Sequence, residues 1–256
     1  MNVEQLFDLS GKVVIITGAA GNLGSRYADG LSQFGANVVL ADVDYIKCKQ
    51  MAKKIKEKYL TDPEPIKLDL TKKKSISNAV SKVLKKYSKI DVLINNAAYQ
   101  GNDKIRKTSF ENLSLDDWNK SISVNLTGVF LMCQQVGKIM KKQKQGNIIN
   151  IGSTYGLVAP DQRIYGDSGQ NAAAFYSASK GGVINLTRYL ASYWNRTGIR
   201  VNTLTPGGVG NNQKSNFIKK YSNKTMLGRM AKKDEYVAAI LFLSSDASSY
   251  MTGSNL

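Results

Sequence analysis

Tyr176 and Lys180 stand four residues apart in the stretch Phe175-Tyr-Ser-Ala-Ser-Lys180. On a helix they share one face, one turn apart. A free tyrosine titrates near pH ~10 and moves protons poorly at neutrality. A lysine cation beside it favours the phenolate. At about 1.4 kcal/mol per pH unit, bringing the phenol to neutrality asks roughly 3–4 kcal/mol of its surroundings. A lysine and a second positive charge can supply that. Such a pair could do acid/base work on a hydroxyl or a carbonyl. With 13 tyrosines in the chain the same spacing also arises by chance on a solvated surface, so its neighbours must decide.

Composition narrows the chemistry. The 256 residues are 42% hydrophobic, enough for one sizeable domain, and we expect a single catalytic domain over residues 1–256. Histidine is absent, which removes Ser-His-Asp and Cys-His nucleophiles. Two cysteines, Cys48 and Cys133, cannot build an ordinary zinc site, so no metal is expected. They show no disulfide framework either, and a reducing cytoplasm is the simplest setting. No uninterrupted apolar run approaches the roughly 18 residues of a membrane span, and no signal peptide is visible at residues 1–11. The formal charge of +17 could mark a nucleic-acid surface. The lysines are spread over several predicted helices with few aromatics between them, which reads better as a solvated face.

The elements that must position the pair follow from patterning. Residues 12–17 form a short apolar β-branched run, read as a buried parallel strand. Gly18-Ala-Ala-Gly21-Asn22-Leu23-Gly24 follows, then a helix over 23–34 and a second strand over 37–42 ending at Asp42. Glycines between a strand and a helix let a pyrophosphate approach the helix N-terminus. An acid ending the second strand can accept hydrogen bonds from a ribose and repel a 2′-phosphate, favouring NAD over NADP. It could equally cap a turn. Further expected elements are a helix over 45–59, a strand over 66–69 ending at Asp69, a helix from Thr71 to about 87, and a strand over 90–95. The small polar run Asn95-Asn96-Ala97-Ala98 comes next. A long helix over 115–143 carries Asn125 and is followed by a strand over 146–151 and Ser153. The helix bearing Tyr176 extends to about 194, and a sixth strand over 199–204 leads into Pro206-Gly207-Gly208-Val209. Residues 211–230 read as mostly irregular and mobile, and 233–244 as a last helix. This alternation implies an α/β fold, one doubly wound Rossmann-type domain with a mostly parallel sheet of six to seven strands. Gly18, Asp42, Asn95, Ser153 and Pro206 all fall at strand C-terminal ends, the edge where such sheets bind ligands.

These stretches together resemble the short-chain dehydrogenase/reductase family over nearly the whole chain. The resemblance rests on Thr17-Gly18 to Gly24, Asp69, Asn95-Asn96-Ala97, Asn125, Ser153, Tyr176-x-x-x-Lys180 and Pro206-Gly207. It implies a catalytic set of Asn125, Ser153, Tyr176 and Lys180. It also implies nicotinamide dinucleotide contacts at Gly18, Gly21, Asn22, Leu23, Gly24, Asp42, Asp69, Leu70, Asn96, Ala97, Ala98, Tyr176, Lys180, Pro206, Gly207 and Val209. In those roles Tyr176 exchanges a proton with the substrate oxygen, Lys180 lowers its pKa and bonds the nicotinamide ribose, and Ser153 holds the substrate oxygen. The side chain or backbone of Asn125 holds a water linking Lys180 to solvent.

The chain departs from the family pattern in places. Asn22 replaces the middle glycine, in a spacing similar to a longer branch that modifies sugar nucleotides. Ala98 replaces a glycine, and Asn211 a threonine that contacts the carboxamide. The interval from Ser153 to Tyr176 is about ten residues longer than usual, through the polar insertion 161–171. It lies beside the reacting centre, so we expect it to recognise a polyhydroxylated substrate. It is similar to that of bacterial members of flagellin-modification and nonulosonic-acid sugar pathways. Beyond Thr252-Gly253-Ser254 a seventh strand can barely begin, and family members use that region at a subunit interface. We therefore expect an NAD-dependent alcohol/ketone oxidoreductase acting on a sugar-like substrate, as a homodimer or a weakened homotetramer. Two other readings stay open: a nucleotide-sugar epimerase or dehydratase with retained NAD, and a non-catalytic dinucleotide sensor or RNA-binding protein.

Overall fold

The computed structural model describes residues 2–256. Its strands are β1 (Val13–Thr17), β2 (Asn37–Asp42), β3 (Glu64–Lys67), β4 (Val92–Asn95), β5 (Gly146–Ile151) and β6 (Ile199–Leu204). Its helices are α1 (Asn22–Gln33), α2 (Tyr45–Lys58), α3 (Lys73–Tyr87), α4 (Asp103–Arg106), α5 (Leu115–Ile122), α6 (Gly128–Gln143), α7 (Ala174–Tyr193), α8 (Ser215–Ser222) and α9 (Val237–Ser244). All strand pairs are parallel, in the order β3-β2-β1-β4-β5-β6. The chain steps outward from β1 through β2 to β3, then crosses back to place β4 on the other side of β1, so a crevice opens where the order reverses.

Both faces of the sheet are covered, which is why β1 and β4 read as continuous apolar runs and not alternations. Val14, Ile16, Val38 and Leu40 pack under α1, α2 and α9 through Leu31, Ile55 and Ile240. Val13, Ile15, Val39 and Ile148 pack under α3, α6 and α7 through Val80, Met132 and Val183. Each such fully buried aliphatic side chain contributes about 1.5–3 kcal/mol, and the strand ends bearing the site rest on these two core layers.

Four expectations are refined. The third strand spans Glu64–Lys67, two residues earlier than predicted. Asp69 accepts the Thr71 N–H and hydroxyl, at 3.0 and 2.6 Å, and bends the chain out of the sheet before it can extend β3. Pro65 is tolerated because β3 is an edge strand. The helix expected over 115–143 is divided by a π-helical turn, Ser123–Thr127. Residues 211–230 are mostly irregular, as expected, but include the helix α8. The last helix starts at Val237, because the Glu235 carboxylate accepts the Lys232 N–H and fixes a turn before it. Residues 253–256 run beside β6, with Thr203 donating to Ser254 O and Leu256 donating to Thr203 O.

Candidate active site

The crevice is a cleft of about 950 Å³ along the C-terminal ends of the strands. Gly18, Gly21, Asn22, Leu23, Asp42, Asp69, Leu70, Asn96, Ala97, Ala98, Ser153, Tyr176, Lys180, Pro206, Gly207 and Val209 all line it. Gly24 and Asn125, also expected at the site, do not line it. Gly24 is a packing residue: a Cβ there would meet Gly18 O at 2.2 Å and Asn96 Nδ2 at 2.9 Å. Gly18 takes φ +66°, and a Cβ there would lie 2.7 Å from Ala97 Cα. Both glycines let α1 and β4 close on the turn.

The start of α1 is built for an anion. Gly21 precedes the helix and offers no side-chain cap, so the first-turn amides of Asn22 and Leu23 are left open toward the cleft. Such amides and the helix dipole favour a phosphate. Asn22 replaces a glycine without closing the path, since it lies exposed at the helix start. Asn96 holds the turn from across the sheet switch, its side-chain amide donating to Thr17 O at 3.0 Å and Gly18 O at 3.1 Å. Asp42 accepts the Ala20 N–H at 3.0 Å on one oxygen and the Asp44 N–H at 3.0 Å on the other. It therefore both ties the turn to β2 and presents a carboxylate to the cleft. Asp69 lines the same end, with Lys72 3.5 Å from its carboxylate. No lysine or arginine among the described residues lines that end.

At the other end, Tyr176 and Lys180 share one face of α7 as the spacing predicts, with the ammonium 5.8 Å from the phenol ring centroid. Lys180 is 3% exposed and donates to Ile151 O at 2.6 Å. Burial pushes it down to about 8. Burial also raises Tyr176, while Ser153 and Gln100 beside it pull the other way. The ammonium is turned to the end of β5 and lies over the ring, and Ser153 is the side chain that favours the phenolate most.

The side chain of Asn125 is engaged within the protein. Its side chain accepts the Tyr99 N–H at 2.6 Å and donates to Tyr99 O at 2.9 Å, Ser121 Oγ at 3.1 Å and Ser179 Oγ at 3.2 Å. The side chain thus ties the loop after β4 to α7. The π-turn around it widens the helix, with Gly128 N–H reaching back to Ser123 O. Asn95, next to the cleft in sequence, is likewise turned inward, its amide donating to Asn150 Oδ1 at 2.8 Å.

Several cleft residues were not anticipated. Tyr165 of the insertion is 8% exposed and lies on Phe217 of α8, ring centroids 5.4 Å apart. Phe217 in turn lies 5.9 Å from Tyr221, whose hydroxyl accepts the Gly208 N–H at 2.6 Å. Lys224 pairs with Asp161 at 3.0 Å. The insertion and α8 thus interlock as one wall, with Tyr155 and Arg106 also lining the cleft. The apolar spacing of Phe217, Ile218 and Tyr221 was the one available signal for α8. Nothing periodic marks Arg106, Tyr155 or Tyr165.

A Rossmann-type sheet with a dinucleotide-sized cleft, an uncapped helix start and a Tyr-Lys pair at the sheet switch defines a nicotinamide-dependent oxidoreductase class. A family model described as enoyl-(acyl carrier protein) reductase matches residues 18–256. The chain belongs to the short-chain dehydrogenase/reductase family. It is 36% identical to the 3-oxoacyl-[acyl-carrier-protein] reductase FabG of Thermotoga maritima, over 96% of this chain and 95% of that one. It is 31% identical to the post-translational flagellin modification protein A of Campylobacter coli, over 97% and 96%. D-Threitol dehydrogenase of Mycolicibacterium smegmatis is 32% identical, over 100% and 94%. Among solved structures, a gluconate 5-dehydrogenase from Burkholderia cenocepacia in complex with NADP and tartrate superposes with a TM-score of 0.89 at 28% identity, covering 100% of this chain and 96% of that one.

Proposed function

We propose that the protein is an NAD-dependent oxidoreductase that interconverts a secondary alcohol and a ketone on a sugar or polyol-like substrate. The observation that carries this is one cleft holding Ser153, Tyr176 and Lys180 at one end and an open helix start with Asp42 at the other. When bound, the dinucleotide supplies the hydride acceptor or donor. The chain's own residues handle the oxygen and its proton. Ser153 holds the substrate oxygen beside Tyr176, which takes the hydroxyl proton in oxidation and returns it in reduction. Lys180, anchored to Ile151 O, holds a cation behind the phenol and within reach of a ribose. Because burial keeps Tyr176 high, Ser153 and a positive charge in front of the ring must both act to make its proton mobile. Asn125 positions α7 through Ser179 and the loop through Tyr99.

The preference for NAD rests on Asp42 and Asp69 at the adenosine end and on the lack of a cation lining it, since a 2′-phosphate would meet a carboxylate there. A sugar-like substrate is supported by the polar wall of Gln100, Asn171, Asn211 and Gln213, and by the threitol- and gluconate-named relatives. We further propose a homo-oligomer, since Phe130 of α6 and Tyr189 and Tyr193 of α7 are exposed on the outer surface. The reducing cytoplasm suits Cys48 and Cys133, which are buried free thiols. No helix among the described residues is long and apolar enough to cross a membrane.

A panel of alditols, sugars, sugar acids and nucleotide sugars, followed at the NADH absorbance with NAD and NADP in parallel, tests the reading. We expect turnover of at least one class, with higher kcat/KM for NAD than for NADP. Cofactor that copurifies tightly and is never reduced on balance would point to an epimerase or dehydratase, the reading that the Gly18-x-x-Gly21-x-x-Gly24 spacing favours.

A further inference from the structure

Charge is divided unevenly along the cleft. Asp42 and Asp69, the acidic side chains that line it, both lie at the adenosine end. The reacting end carries three cations and no carboxylate: Arg106, Lys120 and Lys180. Lys180 is committed to Ile151 O. Lys120 is exposed, over the Tyr99 ring at 4.8 Å. Arg106 is half-buried and takes part in none of the ion pairs found among the described residues.

The position of Arg106 is built by its surroundings. It closes α4, a single turn whose Ile105 is buried against Ala173 and Phe175, the start of the helix bearing Tyr176. The end of the insertion clamps this turn from outside. Asn171 donates its N–H to Arg106 O at 2.7 Å and its side-chain amide to Thr108 O at 2.7 Å. The guanidinium is thereby held beside the Tyr165 hydroxyl, and its charge favours the Tyr165 phenolate against the burial that raises it. Arg106, Tyr165 and Phe217 also line a second cavity of about 390 Å³, so they form the neck between two spaces. Side-chain amides, Gln170 and Asn212 among them, dominate the rest of that cavity, where Asp167 and Lys214 offset one another. A planar guanidinium beside the Tyr165 hydroxyl but with no carboxylate partner among the described residues, at the neck of an amide-rich cavity, matches a carboxylate in geometry as well as charge.

We propose that the substrate carries a carboxylate on the same carbon chain as the reacting hydroxyl, bound by Arg106 at this neck. The substrate class is then a polyhydroxy acid and not a neutral polyol. This rests on the oxidoreductase reading for its chemistry, but not for its binding.

The experiment compares an aldonate, the alditol of the same length and the corresponding sugar phosphate as substrates, in the wild type, Arg106→Ala and Arg106→Lys. Binding of the aldonate in the presence of NADH is measured by calorimetry alongside. The wild type should favour the aldonate. Arg106→Ala should raise its KM about 10- to 100-fold, the range of a lost hydrogen bond to a charged group. That loss should exceed the loss for the alditol by about tenfold, with kcat changed far less, and Arg106→Lys should recover part of it. Equal losses for acid and alditol, or preference for the phosphate, would overturn the proposal. If no substrate turns over, the oxidoreductase reading fails by itself. Aldonate binding that depends on Arg106 would then still support the carboxylate site, and its absence would overturn that too.

Discussion

The two ends of the cleft are made differently. The adenosine end is built from main chain at the tips of β1, β2 and β4, closed by Gly18 and Gly24 and cross-tied by Asp42 and Asn96. Its carboxylates and helix amides are fixed by the sheet itself. The reacting end is built from excursions: a π-turn at Ser123–Thr127, the one-turn helix α4, the insertion carrying Tyr165, and α8. There, side chains from distant stretches meet through aromatic contacts and single hydrogen bonds. The adenosine end accepts a fixed group and can be general to a family. The reacting end can change its substrate through its loops while the strand tips beneath stay as they are.

The largest test separates chemistry from binding. Tyr176→Phe should lower kcat by about 10²–10⁴-fold, the usual worth of a positioned acid/base, while NAD affinity measured by calorimetry moves by less than about threefold. A matching collapse of NAD affinity would show that the two ends are not separable. At the adenosine end, Asp42→Ala should raise the KM for NAD by about 10- to 100-fold through loss of charge-assisted hydrogen bonds. It should also shrink discrimination against NADP, leaving kcat with saturating cofactor nearly unchanged. Unaltered NAD/NADP selectivity would mean that Asp42 serves only Ala20 and Asp44.

The smallest effect concerns Lys180, which joins the ends. Burial lowers its pKa from 10.5 to about 8, so the ammonium is present below that pH and lost above it. Dinucleotide affinity should therefore weaken as the pH rises through about 8, and this dependence should vanish in Lys180→Met. The sign for stability is opposite. Below about 8 the folded protein carries the buried charge at a cost, which is relieved as the pH rises toward 10.5. Lys180→Met should then raise the Tm at neutral pH by about 2–4 °C, the shift that about 1 kcal/mol makes in a chain of this size. A lower Tm would mean that the bond to Ile151 O outweighs the buried charge.

What could be seen in the sequence divides along the same line. The strand and glycine pattern made the turn at Gly18 and the strand ends at Asp42 and Asn95 legible, because periodicity and turn chemistry are local. It failed at β3 by two residues, where the side-chain turn at Asp69 overrode an apolar pair. The spacing of Tyr176 and Lys180, and the resemblance at Ser153, pointed to side chains that line one cleft, but not to their orientation. Which group faces the phenol depends on the rotation of Lys180 toward β5. Asn125 is expected to hold a water by its side chain or its backbone, and the side-chain contacts to Tyr99, Ser121 and Ser179 are not legible in the sequence. Tyr165, Phe217 and Arg106 come together only in three dimensions, from segments about fifty residues apart, and no local pattern announces such a meeting.

Hydride transfer itself is tested most directly by isotope. A secondary alcohol that supports turnover, deuterated at the carbinol carbon, is incubated with the protein and NAD, and the reduced cofactor is analysed by mass and NMR. Deuterium at C4 of the nicotinamide, in equal amount to the ketone formed and absent with Tyr176→Phe, is the expected result. Ketone without labelled NADH, or product that regains the label at an inverted carbon with no net reduction, would contradict it.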